Sequence, residues 1–132
     1  MSENNTNTTK HIREAPRVRF SGEAIEISLD EAVYSLRSEL KLNNNTHAQI
    51  ALSKKDGLTV ALFLFQAGAI LKEHCAAGSV VIQVIEGEIQ THIDGKVHEL
   101  SSGQLLILEP KIQHDVFARR ESVVLVTIAL LS

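Results

Sequence analysis

Residues 68–87 have the sequence GAILKEHCAAGSVVIQVIEG, and this stretch decides the fold. It begins with a glycine, carries a histidine at position 74, and runs through an apolar segment to a second glycine at position 87. Residues 103–114, GQLLILEPKIQH, again combine a glycine with a histidine beside an apolar run. Because glycine accepts left-handed turn conformations, both stretches predict strands joined by tight turns.

The rest of the chain from position 47 onward extends this β pattern. Turn residues such as Asp56-Gly57 and Asp94-Gly95 separate short apolar runs, and the second pair is a good two-residue hairpin signal. We predict strands at 47–53, 58–65, 79–86, 88–93, 96–100, 104–108, 114–119 and 122–130. Many short strands without intervening helices indicate a sandwich or a barrel.

One helix is predicted before these strands. Ser28 and Glu31 have the spacing of a capping box, and an apolar stripe follows at helical spacing. The stripe consists of Leu29, Ala32, Val33, Leu36 and Leu40. We therefore expect a helix at about 29–41 that packs against the outside of a sheet.

Composition and charge limit the class of protein. A chain of 132 residues is expected to form one domain. We expect a flexible tail at 1–10, an extension with the helix at 11–46, and a barrel at 47–132. The net charge of −3 gives no reason to expect nucleic acid, and no apolar run approaches the about 18 residues of a membrane span. A single cysteine, Cys75, and an N-terminus without an apolar signal region predict a cytoplasmic protein.

Two of the predicted strands are apolar on both faces. They lie at 80–85 and 123–131, where a strand with one solvated face would alternate apolar and polar residues. Something must cover their outer faces, and the helix can cover one of them. We expect a second copy of the chain to cover the other, which predicts a homodimer.

The spacing of glycines and histidines resembles the two motifs of the cupin family of small β-barrels. Gly68, His74 and Gly87 stand at the spacing of the first motif, and Gly103 and His114 stand at that of the second. The resemblance covers about residues 58–130. Together with the helix it implies an all-β fold, a cupin-like double-stranded β-helix (jelly-roll barrel) with one N-terminal α-helix.

The resemblance implies only part of the family's metal site. In the family, three histidines and a glutamate hold a divalent metal. His74 and His114 take the first and third histidine positions, whereas Ala76 replaces the second histidine and Val80 the glutamate. Ala118 stands at the position of a family asparagine. The two histidines are therefore an incomplete set of metal ligands.

Neighbouring residues offer no clear replacement for the missing ligands. Strand alternation turns Cys75 away from the face that His74 would occupy. Gln83 and His92 have the parity of outward-facing residues, and Glu73 would reach the site only from a bent segment.

The leading hypothesis is a cupin that binds an unknown small molecule in its barrel. His74 and His114 would orient a polar or anionic group of that ligand, and apolar residues would form the remaining wall. These predicted wall residues are Ala76, Val80, Ile82, Val116 and Ala118.

Three alternatives stay open at this stage, and enzyme status is undecided. The first is a metal-dependent enzyme, an oxygenase or an isomerase, in which His74 and His114 bind Fe, Mn, Ni or Zn with a third ligand. The second is acid–base catalysis by a histidine without a metal. The third is a structural or partner-binding domain, because a fold alone does not settle function.

Overall fold

The computed structural model describes residues 13–14, 19–21 and 24–130. The predicted tail at 1–10 lies outside these ranges, and the division between extension and barrel at 46/47 stays a prediction. The described residues form one helix, α1 (Leu29–Asn43), and twelve strands. The strands are β1 (Arg13–Glu14), β2 (Arg19–Ser21), β3 (Ala24–Glu26), β4 (His47–Lys55), β5 (Leu58–Phe65), β6 (Ile70–His74), β7 (Ser79–Glu86), β8 (Glu88–Ile93), β9 (Lys96–Ser101), β10 (Leu105–Leu108), β11 (His114–Ala118) and β12 (Ser122–Ala129).

Two sheets face each other to form the barrel. The large sheet has the strand order β1-β4-β5-β12-β7-β10, and the small sheet has the order β6-β11-β8-β9. All pairs in them are antiparallel except β1 with β4, and β2 and β3 form a separate pair. This arrangement confirms the predicted jelly-roll fold with one N-terminal helix. Within the described residues, no helix has the length and apolar composition needed to cross a bilayer.

The structure contains a strand that the sequence pattern did not predict. β6 carries Lys72 and Glu73 between Leu71 and His74 and is mostly exposed. It lies at the edge of the small sheet, and β11 is the only described strand that pairs with it. A mostly exposed edge strand lacks the apolar pattern that identifies buried strands. For this reason the sequence of this segment did not predict a strand.

Helix α1 covers one part of the large sheet. Its N-terminus is capped by the Ser28 hydroxyl, which accepts a hydrogen bond from the Glu31 amide at 3.2 Å, and Asn44 ends it in a left-handed conformation with φ 57°. The buried helix residues pack on apolar side chains of β4 and β5 and on Val123 of β12. We call this group the helix-side cluster; its fully buried or nearly buried members are Ala32, Leu36, Leu40, Ala48, Ile50, Leu52, Leu62, Leu64 and Val123.

A second apolar cluster lies between the two sheets and surrounds the barrel axis. It combines Phe63 and Phe65 of β5 with residues of β7, β8, β9, β11 and β12. The outward residues Val81 and Gln83 of β7 belong to neither cluster, and neither do Leu105 and Ile107 of β10. The helix-side cluster therefore extends over β4, β5 and the start of β12 and reaches Ile85 of β7. Among the described residues, nothing in either cluster packs on the outer side of Val81, Gln83 or β10.

Gly87 makes the corner at which the chain leaves one sheet for the other. β7 ends in the large sheet at Glu86, and β8 begins in the small sheet at Glu88. Gly87 has φ +100°, and a Cβ atom there would overlap the Ser122 hydroxyl and the Glu121 carbonyl. Only glycine meets both requirements, which explains the glycine at this point of the first motif.

Candidate ligand-binding cavity

An internal cavity of about 460 Å³ lies between the two sheets. This volume falls within the range of about 300–1,000 Å³ that is typical of small-molecule sites. Most of its wall is apolar, and β5 and β12 supply much of it. The lining residues are Thr59, Ala61, Phe63, Phe65, Leu71, His74, Cys75, Ala76, Ala77, Gly78, Val80, Ile82, His114, Val116, Val124, Val126, Ile128 and Leu130.

The cavity has a buried end and an open end. Along β5 the wall residues change from half-buried Thr59 to Phe63 and Phe65, which are both buried. Along β12 they change in the same sense, from Leu130, which is 50% exposed, to buried Val124. Because these strands are antiparallel, Leu130 and Thr59 lie at the same end, and this end is the mouth.

The two predicted histidines meet in this cavity. His114 at the start of β11 is the direct cross-strand partner of His74 at the end of β6. Their ring centroids are 4.3 Å apart with the ring planes inclined at 55°. A register shift in β11 between His114 and Val116 accompanies this pairing, and such irregularities re-aim side chains. His114 is 3% exposed, whereas His74 is half-buried.

Main-chain hydrogen bonds orient both rings. His74 Nδ1 lies 2.8 Å from the carbonyl oxygen of Lys72, and His114 Nδ1 lies 3.1 Å from that of Ile112. A carbonyl oxygen only accepts hydrogen bonds, so each Nδ1 carries the proton and donates. When the ring is neutral, its Nε2 atom therefore has a free lone pair that can accept a hydrogen bond.

His114 favours the neutral form. Burial lowers the pKa of this imidazole, and the nearby His74 also lowers it. The hydrogen bond to Ile112 and the carboxylate of Asp115 act in the opposite direction, but burial is the larger effect. The most buried polar side chain among the described lining residues is therefore an uncharged acceptor near neutral pH.

The predicted apolar wall residues divide into two groups. Ala76, Val80, Ile82 and Val116 line the cavity. Ala118, which was expected beside them, does not border it; this residue is fully buried in the cluster between the sheets and its main chain bonds to Gly68 and Ala69. Ala118, which stands at the asparagine position of the second motif, therefore packs in the core and contributes no surface to the cavity.

Cys75 is placed differently from the prediction. The alternation argument turned it away from His74, but strand β6 ends at His74 and the chain continues as an irregular segment. Cys75 therefore lines the cavity, and its thiol is free and exposed. His92 faces away, as predicted, and its ring bonds to the Asp115 carboxylate at 3.1 Å.

The aromatic end of the cavity was not predicted as part of the site. Phe63 and Phe65 stack with their ring centroids 5.6 Å apart and the planes 12° from parallel. Both faces of β5 are apolar in the sequence LTVALFLF. Alternation would group Phe63 and Phe65 with Thr59 and Ala61, but it does not tell which group faces inward.

The donor atoms in the cavity are fewer than a catalytic metal centre needs. Such a centre usually has about three protein ligands. His74 and His114 supply two imidazole nitrogens, and the described residues contain no group of three or more His, Cys, Asp or Glu side chains able to hold one ion. The positions that would complete the set hold Ala76 and Val80. These residues do not fit a three-ligand metal centre.

Comparison with known proteins supports the same architecture. A protein-family model described as "Cupin domain" matches residues 61–129, which is more than half of the chain. A search of curated proteins finds no match. A cupin superfamily protein from Desulfitobacterium hafniense superimposes with a TM-score of 0.64 at 20% identity, covering 66% of this chain and 80% of that one.

Two further solved structures share the architecture. KdgF from a Halomonas species has a TM-score of 0.61 at 17% identity, with 66% of this chain and 81% of that chain covered. Salicylate 1,2-dioxygenase from Pseudaminobacter salicylatoxidans has a TM-score of 0.73 at 17% identity, over 78% of this chain but only 34% of that chain. At these identities the likeness shows the fold alone.

Proposed function

The chain belongs to the cupin domain family, and we propose that it binds a small molecule in the barrel cavity beside His74 and His114. The observation that carries this proposal is the cavity itself, about 460 Å³ in volume and walled mainly by apolar side chains. A core filled only for stability would be close-packed, with few voids larger than a water molecule. A void of this size, open at one end, is instead typical of a binding site.

The two imidazoles supply the polar part of such a site. Small-molecule pockets combine apolar walls with a few well-placed polar groups that orient the ligand. Here the rings of His74 and His114 are adjacent and are each held by a main-chain carbonyl. Ala76 and Val80 leave apolar space beside them. This combination favours binding over catalysis by a metal ion.

Binding of a fluorescent apolar probe tests the proposal. N-phenyl-1-naphthylamine should bind at one site per chain with increased fluorescence, and Val126→Phe, which fills the cavity from β12, should weaken binding at least tenfold. Val97→Phe is the matched control because Val97 is 51% exposed on β9 and does not line the cavity. Equal binding by Val126→Phe and the unmodified chain would contradict the proposal.

The second candidate function is a metal-dependent enzyme of the oxygenase or isomerase type. One observation favours it: metal-bound histidines usually donate their other ring N–H to a carbonyl or carboxylate, as His74 and His114 do. Its Fe, Mn, Ni or Zn ion would need a further ligand from substrate or water. Elemental analysis of untagged protein, expressed in medium that contains these four metals, tests this candidate. A content close to one metal ion per chain that is lost in His114→Ala would support the enzyme.

We also propose a homodimer formed through the outer face of β7 and β10. No outward-facing residue of the described strands β7, β10 and β12 is charged between 79 and 85, 105 and 107, or 125 and 129. Ile107 is 67% exposed there. Exposed apolar faces without charges are typical of subunit interfaces, and a second copy is the partner predicted for one of the two strands that are apolar on both faces.

Sedimentation equilibrium tests the dimer. The expected mass is about 29 kDa, twice the 14.5 kDa of one chain. Ile107→Glu should shift it toward 14.5 kDa, whereas Val97→Glu on the small sheet should not. A monomer at micromolar concentration would contradict the proposal.

The free, exposed thiol of Cys75 is consistent with a reducing compartment, and we propose a cytoplasmic location.

A further inference from the structure

The acceptor atoms of the two cavity histidines restrict what kind of ligand fits. Each Nδ1 proton is already donated to a main-chain carbonyl, so Nε2 is the ring atom left to contact a ligand. Two imidazolium ions with centroids 4.3 Å apart would repel each other strongly. Both rings line the cavity, and His114 is only 3% exposed, so two charges there would also be poorly solvated.

The described part of the remaining cavity wall carries no fixed charge. Among the described lining residues there is no lysine, arginine, aspartate or glutamate, and Thr59 and Cys75 are the other polar side chains. No lysine or arginine of the described lining residues could pair with a carboxylate or phosphate ligand, so one imidazole would have to take up a proton, and the ion pair would lie in a largely apolar cavity, which is costly. A ligand ammonium would lack an anionic partner for the same reason.

We infer that the natural ligand is a neutral molecule with an apolar body and a hydroxyl group, an alcohol or a phenol, which donates hydrogen bonds to the imidazoles of His74 and His114. This inference rests on the proposed binding function and adds the chemical class of the ligand. The apolar body lies against Phe63 and the aliphatic wall, and the hydroxyl lies at the histidine pair.

Hydroxyl recognition should be selective. A site with buried hydrogen-bonding groups rejects an analogue that lacks the matching group, because its own polar atoms are then left unpaired. Two adjacent acceptors should also favour a ligand with two neighbouring hydroxyls over one with a single hydroxyl. A methyl ether of the same shape should therefore bind less tightly than the alcohol. A carboxylate of similar size should also bind less tightly than the alcohol.

Three naphthalenes of similar size test this selectivity on the unmodified full chain at pH 7.5. They are 2-naphthol, which donates a hydrogen bond, 2-methoxynaphthalene, which does not, and 2-naphthoate, which is an anion. We expect isothermal titration calorimetry to give an affinity for 2-naphthol at least tenfold above the other two. Equal affinities, or tightest binding of 2-naphthoate, would overturn the inference and leave the proposed binding function standing.

Two variants locate the selectivity at the histidines. In His114→Phe the preference for 2-naphthol over 2-methoxynaphthalene should fall below threefold, while 2-methoxynaphthalene still binds. His98→Phe is the matched control, because His98 lies on β9 outside the cavity, and it should keep the full preference. If His114→Phe kept the preference for 2-naphthol, another group would accept the hydrogen bond of the ligand hydroxyl, and this result would overturn the inference.

Binding of the fluorescent probe distinguishes a wrong ligand class from a wrong binding function. If N-phenyl-1-naphthylamine binds in the cavity but none of the naphthalenes does, the hydroxyl class is wrong and the binding function stands. If the probe and all three naphthalenes fail to bind, the proposed function fails and the inference fails with it.

Discussion

The two faces of the large sheet are both apolar, but different structures cover them. On the outer face, Leu36 and Leu40 of helix α1 fill the space above β4 and β5, and the helix-side cluster is closed. On the inner face, β5 presents Ala61 and Phe63 to a cavity of about 460 Å³. One face is packed for stability, and the other gives up part of that packing to keep space for a ligand.

This difference separates the residues that hold the fold from those that determine the site. A change on the helix side should alter stability and leave ligand affinity nearly constant. A change on the cavity side should alter affinity more than stability, because empty space there can accept new atoms. The following four predictions test this separation, beginning with the largest expected effect.

Leu36→Ala should lower the free energy of unfolding by about 2–5 kcal/mol, because it removes a fully buried side chain from a closed cluster. Urea denaturation followed by circular dichroism measures the change. Leu42→Ala is the control on the same helix: Leu42 is 83% exposed, and its loss should change stability by less than about 0.5 kcal/mol. Similar losses for both variants would show that the helix-side cluster does not stabilise the fold.

The same substitution on both faces gives a direct comparison. Ala48→Leu should cost about 1–3 kcal/mol, since Ala48 lies in the closed helix-side cluster and extra atoms there force strain. Ala61→Leu should cost less, because the new side chain extends into the cavity, but it should weaken probe binding at least tenfold. Equal stability losses in thermal unfolding would indicate that the cavity closes in solution.

Acid should weaken the cavity side selectively, because the helix-side cluster contains no ionisable group among its described members. Burial lowers the pKa of His114, so the unfolded chain binds more protons than the folded chain once the pH falls below about 6.5. The stabilisation by neutral His114 is therefore complete above that pH and decreases as the pH falls toward the folded pKa.

Urea unfolding at pH 7.5 and pH 5.5 measures this effect. The unmodified chain should be less stable at pH 5.5 than at pH 7.5. The loss of stability between these pH values should be smaller in His114→Phe than in the unmodified chain. His47 contributes in the same direction, because burial lowers its pKa as well, so a reduced decrease should remain in His114→Phe. An increase in stability on acidification would contradict the assignment of a neutral His114.

The smallest effect is expected at the ion pair that joins helix α1 to the turn before β12. Arg37 and Glu121 are 3.0 Å apart, but both side chains are about half exposed. Their coupling energy in a double-mutant cycle should be about 0.2–1 kcal/mol and should decrease in 0.5 M salt. A coupling above about 2 kcal/mol would mean that this contact, and not apolar packing, positions the helix.

The sequence predicted the architecture well because its signals are local. Glycine spacing, the Ser28 cap and apolar alternation each reflect the conformation of a few adjacent residues, and the resulting jelly-roll with one helix is confirmed. Prediction from the sequence fails where the direction of a side chain depends on where a strand ends. Cys75 faces the cavity because β6 ends one residue earlier, and alternation applies only within a strand.

The cavity was harder to predict than the barrel. Strands apolar on both faces, such as β5 and β12, do not reveal which side is covered by a helix and which side lines a void. For this reason the contribution of Phe63 and Phe65 was missed, and Ala118 was expected on a wall that it does not reach. Volume is a property of the assembled sheets and has no local sequence signal.

The local anchoring of the two imidazoles has a consequence for how this barrel can change in evolution. Each ring is held by a carbonyl two positions earlier in its own chain segment, at Lys72 and at Ile112. Main-chain oxygens are present whatever side chain the residue carries, so no single substitution in the surrounding wall removes them. New ligand preferences can therefore arise by exchanging lining residues while the orientation of the polar pair is inherited unchanged.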